Sequence, residues 1–174
     1  MVELVVTLII VAILAAFALP HFFRRTTFDA RSFFDQSLAL LRYAQKVSVA
    51  QNRAVFVRLN GASTALCFDA ACNTPVTAAA GSNSRSAATL AACANSVTWA
   101  CEGNPSNVAY IAVNAGGTNY VAVNPSFYFN ALGKPFNVAD VDPVTTFIQP
   151  LTVTVSGGGV SYSLTIERET GYVH

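Results

Sequence analysis

Hydrophobic positions along the chain fall into three regimes. From Leu4 to Leu19 they are unbroken, reading LVVTLIIVAILAAFAL with Thr7 the one polar side chain. These sixteen residues, coiled as an α-helix, rise about 24 Å, and the stretch from Met1 to Phe23 about 34 Å, enough for the hydrocarbon core of a bilayer. A helix apolar on every face has to lie in lipid or be enclosed by protein. A secretory signal peptide opens on positive charge and ends at a small-residue cleavage site. Here the one early charge is Glu3, and Ala15-Ala16 runs on into Phe17 and then Pro20-His21-Phe22-Phe23. A buried core helix is the remaining alternative, but a single domain of this size rarely encloses so continuous an apolar run. Glu3 stands out, because a carboxylate at the edge of such a helix is costly without a cation and marks a functional position. At headgroup level it is simply solvated, and the helix dipole tolerates an acid in the first turn.

Beyond Pro20 the period changes. Proline removes one helical hydrogen bond and disfavours helix at the residue before it, so a kink or local unwinding is expected at Leu19 and Pro20. From Asp29 onward Phe34, Leu38, Leu41, Ala44 and Val47 recur every three or four positions, while Arg31, Asp35, Arg42 and Lys46 take the others. That is an amphipathic helix running to about Gln51. The third regime is short and strand-like. Arg53–Leu59 and Leu66–Phe68 are candidates to pair, followed by Val97–Cys101, Tyr110–Val113, Tyr120–Val123 and Phe127–Phe129, separated by Gly, Asn and Pro. The strongest hairpin alternates Leu151, Val153 and Val155 with threonines, turns at Gly157-Gly158-Gly159, and returns through Val160, Tyr162, Leu164 and Ile166. Its apolar face is expected on the amphipathic helix. Between Thr77 and Ser96 the chain is rich in Ala, Ser, Thr and Asn, which reads as a surface loop, and no period suggests repeats. The fold class is therefore α+β. A long N-terminal helix, kinked near Pro20, packs its C-terminal half on an antiparallel β-sheet head. The expected divisions are 1–23 (apolar helix), 24–52 (amphipathic helix) and 53–174 (β-rich head).

Composition sharpens this picture. The 174 residues are 53% hydrophobic and only 11% charged, with a mean hydropathy of +0.45. Soluble domains carry roughly a quarter charged residues, so a disordered chain, a charge-rich coiled coil and a strongly basic nucleic-acid binder are excluded. The net charge of +1 conceals a separation. From His21 to Arg58 seven basic residues face only Asp29 and Asp35, whereas from Leu59 onward six acids face Arg85, Lys134 and Arg168. A basic stalk beneath a mildly acidic head suits copies that stack head against neighbouring stalk. A solvated helix face with membrane-proximal arginines accounts for it equally.

Glu3-Leu4-Val5-Val6-Thr7-Leu8, followed by Ile13-Leu14-Ala15-Ala16 and Pro20, resembles the N-terminal segment of type IV pilins and of the pseudopilins of type II secretion. Asp29-Ala30-Arg31, Arg42-Tyr43-Ala44-Gln45 and Phe129-Asn130-Ala131-Leu132-Gly133-Lys134-Pro135 more loosely resemble the minor-pilin branch, with its H-type pseudopilins and a subunit of mannose-sensitive haemagglutinin pili. In that family a basic leader is removed and a glutamate stands fifth in the mature chain. Here it is third, so the resemblance implies a leader and two further residues ahead of this stretch. It also implies roles. Glu3 neutralises the N-terminal ammonium of a neighbouring copy, Pro20 loosens the helix inside the filament, and the apolar helix is membrane anchor before assembly and filament core afterwards. The partners so implied are copies of itself or other pilins in a helical filament, and the bacterial inner membrane, spanned once with the head in the periplasm, before assembly. Arg24-Arg25 alone would hold the head in the cytoplasm, but the implied basic leader outweighs them.

Cys67, Cys72, Cys93 and Cys101 all lie in the β-rich part among loop-forming residues. An even count in an exported head suggests two disulfides. Three connectivities are open, and Cys67–Cys72 with Cys93–Cys101 is favoured because short local loops need least else to be right. A zinc site is the rival, though these gaps fit the usual ligand spacing poorly.

Other chemistry finds little footing. Minor pilins that serve as DNA receptors in transformation carry an arginine-rich tail after a glycine. Here Glu169-Thr170-Gly171-Tyr172-Val173-His174 has the glycine but Tyr172 and His174 in place of basic residues, and phosphate binding needs clustered Lys and Arg. Trp99, Tyr110, Tyr120 and Tyr128 could stack bases, though core packing is the commoner reason for them. His21 and His174 are the only histidines and neither has a nucleophile partner, so no enzyme is expected. Asp140 and Asp142 could touch calcium but lack a third oxygen-rich position, and Gly157-Gly158-Gly159 is no phosphate loop. No cofactor or metal is expected. The leading expectation is a structural subunit of a type IV pilus-like extracellular filament. The alternative is a minor pilin or pseudopilin that primes assembly or forms the tip of a pilus or pseudopilus. A DNA receptor or a membrane-anchored periplasmic enzyme follows behind.

Overall fold

A computed structural model describes residues 2–23 and 25–174, with the side chains of 2–14 and 25–174. Helix α1 (Val2–Phe23) is followed by α2 (Arg25–Ala50). The helix stays unbroken at Leu19 and Pro20, where local unwinding is expected from sequence, and continues to Phe23. A single missing N–H leaves the neighbouring turns bonded. Arg24, between the two helices, lies outside the described residues.

The rest of the chain folds into two antiparallel sheets that share no strand. Strands β1 (Val55–Leu59), β2 (Ser63–Cys67), β3 (Cys101–Gly103), β5 (Phe127–Phe129) and β6 (Pro135–Phe136) form one, in the order β3-β2-β1-β5-β6. Strands β4 (Ala109–Asn114), β7 (Leu151–Gly157) and β8 (Val160–Ile166) form the other, in the order β4-β7-β8. Arg53–Leu59 pairs back on its follower as expected, with Val57 opposite Leu66 and Leu59 opposite Thr64. The late hairpin forms as expected, with Val153 opposite Leu164 and Val155 opposite Tyr162. Its turn needs glycine, because Gly158 and Gly159 both have positive φ (62° and 81°), as a two-residue hairpin turn demands. A side chain on Gly158 would also collide with Thr27 at the start of α2.

Helix α2 packs on both sheets. Its buried face is Ala30, Phe33, Ser37, Leu41, Ala44, Val47 and Ser48. That stripe departs from the apolar one drawn from sequence. Phe33 replaces Phe34, Ser37 replaces Leu38, and Phe34 and Leu38 are only half-buried. The reason is a buried polar chain. Ser37 Oγ lies 3.3 Å from Thr64 Oγ1 on β2, which lies 2.9 Å from Tyr110 Oη on β4. Burial pushes the Tyr110 phenol well above the usual tyrosine range, and its ring meets Phe33 edge-on at 5.4 Å. One hydrogen-bonded line therefore ties the helix to both sheets. Phe127, Phe129, Phe147 and Tyr120 close the core beneath it, in edge-on and tilted ring contacts.

Three further sequence expectations are corrected. Tyr120–Val123 is no strand. Tyr120–Ala122 forms a 3₁₀ turn, capped by Asn119, whose side-chain oxygen accepts from Val121 N at 2.9 Å. Val97–Cys101 contributes only its last residue to β3, and Ala100 instead bonds between Leu66 and Val76. Residues 77–96 are not merely a surface loop: they contain α3 (Ala87–Ala92), capped by Ser86. Buried Glu102 organises this region, accepting from Ser84 N at 2.8 Å, from the Ser84 hydroxyl, and from Thr89 Oγ1 at 2.9 Å. Gly103 is required here for closeness, since any Cβ would strike the Ala88 carbonyl of α3.

Thr64→Val keeps the shape but leaves two buried hydroxyls without their shared partner. Each such loss costs about 1–3 kcal/mol, so the melting temperature of the full chain is expected to fall by roughly 4–24 °C in thermal unfolding followed by circular dichroism.

Candidate functional site

The most unusual surface is α1 itself. Every described side chain from Val2 to Leu14 is exposed, including Val2 at 78%, Leu4 at 66% and Leu14 at 63%. Ten large aliphatic side chains between Val2 and Leu14 stand open. Covering them is worth on the order of 10–20 kcal/mol, comparable to the entire stability of a typical domain. Glu3 is the single ionisable side chain in this stretch and is exposed, and Thr7 returns its hydroxyl to Leu4 O at 2.9 Å. Among the described residues no helix is long and apolar enough to cross a membrane. The backbone of Pro20 lies within α1, and its side chain is outside the described set.

The charge separation along the chain is partly consumed internally. Arg31 pairs with Asp35 at 3.0 Å and sits 5.1 Å from the Tyr162 ring. Arg42 donates to Val173 O at 2.9 Å, Arg53 stacks 3.7 Å from the Phe68 ring, and Arg58 donates to Asn124 at 2.7 Å. At the tail, Lys134 and Arg168 both meet Glu169, at 3.0 and 3.5 Å. Tyr110, Tyr120 and Tyr128 are buried, and Trp99 donates its indole N–H to Leu66 O at 2.8 Å, so the aromatics pack the core. His174 reaches Glu167 at 3.1 Å and stacks on Tyr172. His21 has no described side chain.

The four cysteines form Cys67–Cys72 and Cys93–Cys101, with Cα separations of 5.1 and 6.0 Å. Cys67, Cys93 and Cys101 are fully buried. The first bond closes a loop in which Asp69 accepts from Asn73 N and Thr74 N, which lowers its pKa. The second ties α3 to the β3 edge.

Asp140 and Asp142 both accept hydrogen bonds from within the chain. Asp140 accepts from Asn137 N, Thr145 Oγ1, Thr146 N and Thr146 Oγ1 at 2.6 to 3.2 Å, and Asp142 accepts from Asn130 Nδ2 at 2.9 Å. Among the described residues no group of three or more His, Cys, Asp or Glu could hold a metal ion. Partial burial pushes the Asp140 carboxyl up, but the hydrogen bonds from Thr146, Asn137 and Thr145 outweigh it, and its pKa lies below the ordinary carboxylate value.

No family model and no curated protein matches the chain. The chain is similar in structure to solved minor pilins and pseudopilins. The type IV minor pilin FimU of Pseudomonas aeruginosa is 16% identical, with 83% of this chain and 85% of that chain covered and a TM-score of 0.49. The minor pseudopilin EpsH from the Type 2 Secretion System of Vibrio cholerae is 11% identical, with 85% and 92% covered and a TM-score of 0.48.

Three predictions check the head. A carboxyl whose folded pKa is depressed stabilises the fold above its unfolded pKa, about 3.9 for aspartate, and that stability is lost as pH falls through the lower folded value. Melting temperature between pH 5 and pH 2 should therefore drop less steeply in Asp140→Asn than in the parent chain, from a lower starting point. In intact-mass spectrometry the unreduced chain should gain four hydrogens on reduction. Replacing Cys93 and Cys101 together by serine should cost about 2–3 kcal/mol.

Proposed function

We infer that the chain is a structural subunit of a type IV pilus-like extracellular filament, joined to its neighbours through the apolar N-terminal helix. The observation that carries this reading is the contrast between two successive helices. Helix α2 is packed against the head along its whole buried face, while α1 presents aliphatic side chains on every side with one carboxylate near its start. So much apolar surface requires either lipid or like helices. A bundle of like helices then has to compensate Glu3, because an unpaired buried charge is strongly destabilising while a hydrogen-bonded pair is tolerable. The cation implied by the resemblance is the N-terminal ammonium of a neighbouring copy.

In this reading residues 1–23 are anchor and filament core, 24–52 the packed stalk and 53–174 the exposed head. The helix would lie in the bacterial inner membrane, spanning it once, before a copy joins the filament. Two disulfides support an oxidising location for the head, the periplasm first and the cell exterior afterwards. Proline at position 20 fits a helix that loosens inside the filament.

Glu3→Arg and Glu3→Asp are to be compared in the native cell, with the amount of chain in whole cells and in sheared surface filaments measured separately. The reading expects both variants at parental level in whole cells, with Glu3→Arg reduced by roughly tenfold or more in the sheared fraction and Glu3→Asp retained. Undiminished filament incorporation of Glu3→Arg would overturn it. If the parent chain is only a trace component of the sheared filaments, the role narrows to priming or tip formation in a pilus or pseudopilus.

A further inference from the structure

A cleft of about 700 Å³ opens where the ends of the two sheets meet, within the size range of small-ligand sites. It draws on three segments distant in sequence: the end of β4 with its following turn, the 3₁₀ turn at Tyr120–Ala122, and the connection between β6 and β7. None of its lining side chains is charged. The polar ones are amides and hydroxyls, notably Asn114, Thr118, Asn137 and Gln149 around Tyr120.

Part of this lining is held rigid. Tyr120 Oη donates to Asn137 Oδ1 at 2.8 Å, Asn137 Nδ2 donates to Thr146 Oγ1 at 2.8 Å, and Thr146 Oγ1 donates to Asp140 Oδ1 at 2.6 Å. The chain of donors runs outward and ends on a carboxylate that does not line the cleft. Asn137 keeps a second amide hydrogen beyond the one it gives Thr146. Asn114 is fixed from the other side, its side-chain oxygen accepting from Thr118 N at 2.7 Å. Among the described residues, Thr118 and Gln149 make no side-chain hydrogen bond within the chain. The rim is apolar, with Val123 47% and Ile148 60% exposed.

We propose that this cleft is a binding site for a neutral saccharide. Sugar hydroxyls are both donors and acceptors, as are the amides that line it, and the C–H faces of a pyranose suit the aliphatic rim. The lack of lining charge disfavours sialylated or phosphorylated ligands, which would have to shed water without gaining a cation. An extended peptide would need an open strand edge. The cleft end of β4 is closed by its own turn, with Asn114 N bonded to Thr118 O and Val113 bridged to Asn119. The lining lies wholly on the head and includes no residue of α1.

The test uses the full chain in a sugar-free detergent such as an alkyl amine oxide, applied to an array of neutral and anionic oligosaccharides and to an immobilised uncharged Ser/Asn/Gly peptide. Thr118→Val and Gln149→Ala remove groups that make no internal bonds, so their melting temperatures should match the parent. Ala139→Trp fills the cleft from an exposed position. The expected result is binding to one or more neutral glycans, weakened roughly tenfold by Thr118→Val with Gln149→Ala and abolished by Ala139→Trp. Failure to bind any neutral glycan overturns the proposal, as does binding that these variants leave unchanged or a preference for the anionic glycans or the peptide.

Discussion

Two sheets that share no strand are held together by one face of one helix. Helix α2 meets both, and Ser37, Thr64 and Tyr110 run as a hydrogen-bonded line through helix, first sheet and second sheet. Buried hydroxyls tolerate little displacement, because each left unpaired incurs a desolvation cost with no return. The line therefore sets the rotation of α2 about its axis, which in turn selects Phe33 over Phe34 for the core. The tail depends on the same helix, through Arg42 to Val173 O and Gln45 to Thr170 O at 2.7 Å.

The low charge of the head has a structural counterpart. Where many proteins use surface ion pairs, this one uses neutral side chains and single carboxylates saturated by backbone and hydroxyl donors. Glu102 gathers Ser84 and Thr89, Asp140 gathers Asn137, Thr145 and Thr146, and Asn130 ties the β5–β6 turn to Asp142. Such clusters order long connections without much apolar content. They also leave uncharged clefts, which is the chemical character of the one between the sheet ends.

The proposed function rests on an asymmetry between the first helix and everything after it. From α2 onward the buried stripes of helix and sheets pack on one another, while the described side chains of α1, Val2 to Leu14, are turned to solvent all round. A head that is complete in itself, attached to a helix that is not, suits a subunit whose missing contacts are supplied by lipid and then by neighbours. In the filament proposed above, Glu3 would confine that pairing to registers in which a cation falls beside it.

Local periodicity was enough to read the apolar helix, though not its continuity through Pro20, as well as the amphipathic helix to about residue 50, the β1–β2 pair and the β7–β8 hairpin with its glycine turn. In each, burial is decided by neighbours close in sequence. Local reading also favoured the short cysteine pairs and singled out Glu3. Where contacts are distant, sequence pattern misled or fell silent. A search for apolar residues passes over Ser37 because it is polar, Tyr120–Val123 looks like a strand until Asn119 caps it as a turn, and the serines of 77–96 look solvent-bound until Glu102 collects them. The cleft joins residues 114–126, 137–139 and 146–149, which no spacing rule connects. Hydrophobic burial leaves a periodic trace along the chain, whereas hydrogen-bond partners and cavities exist only once both sheets have closed on α2.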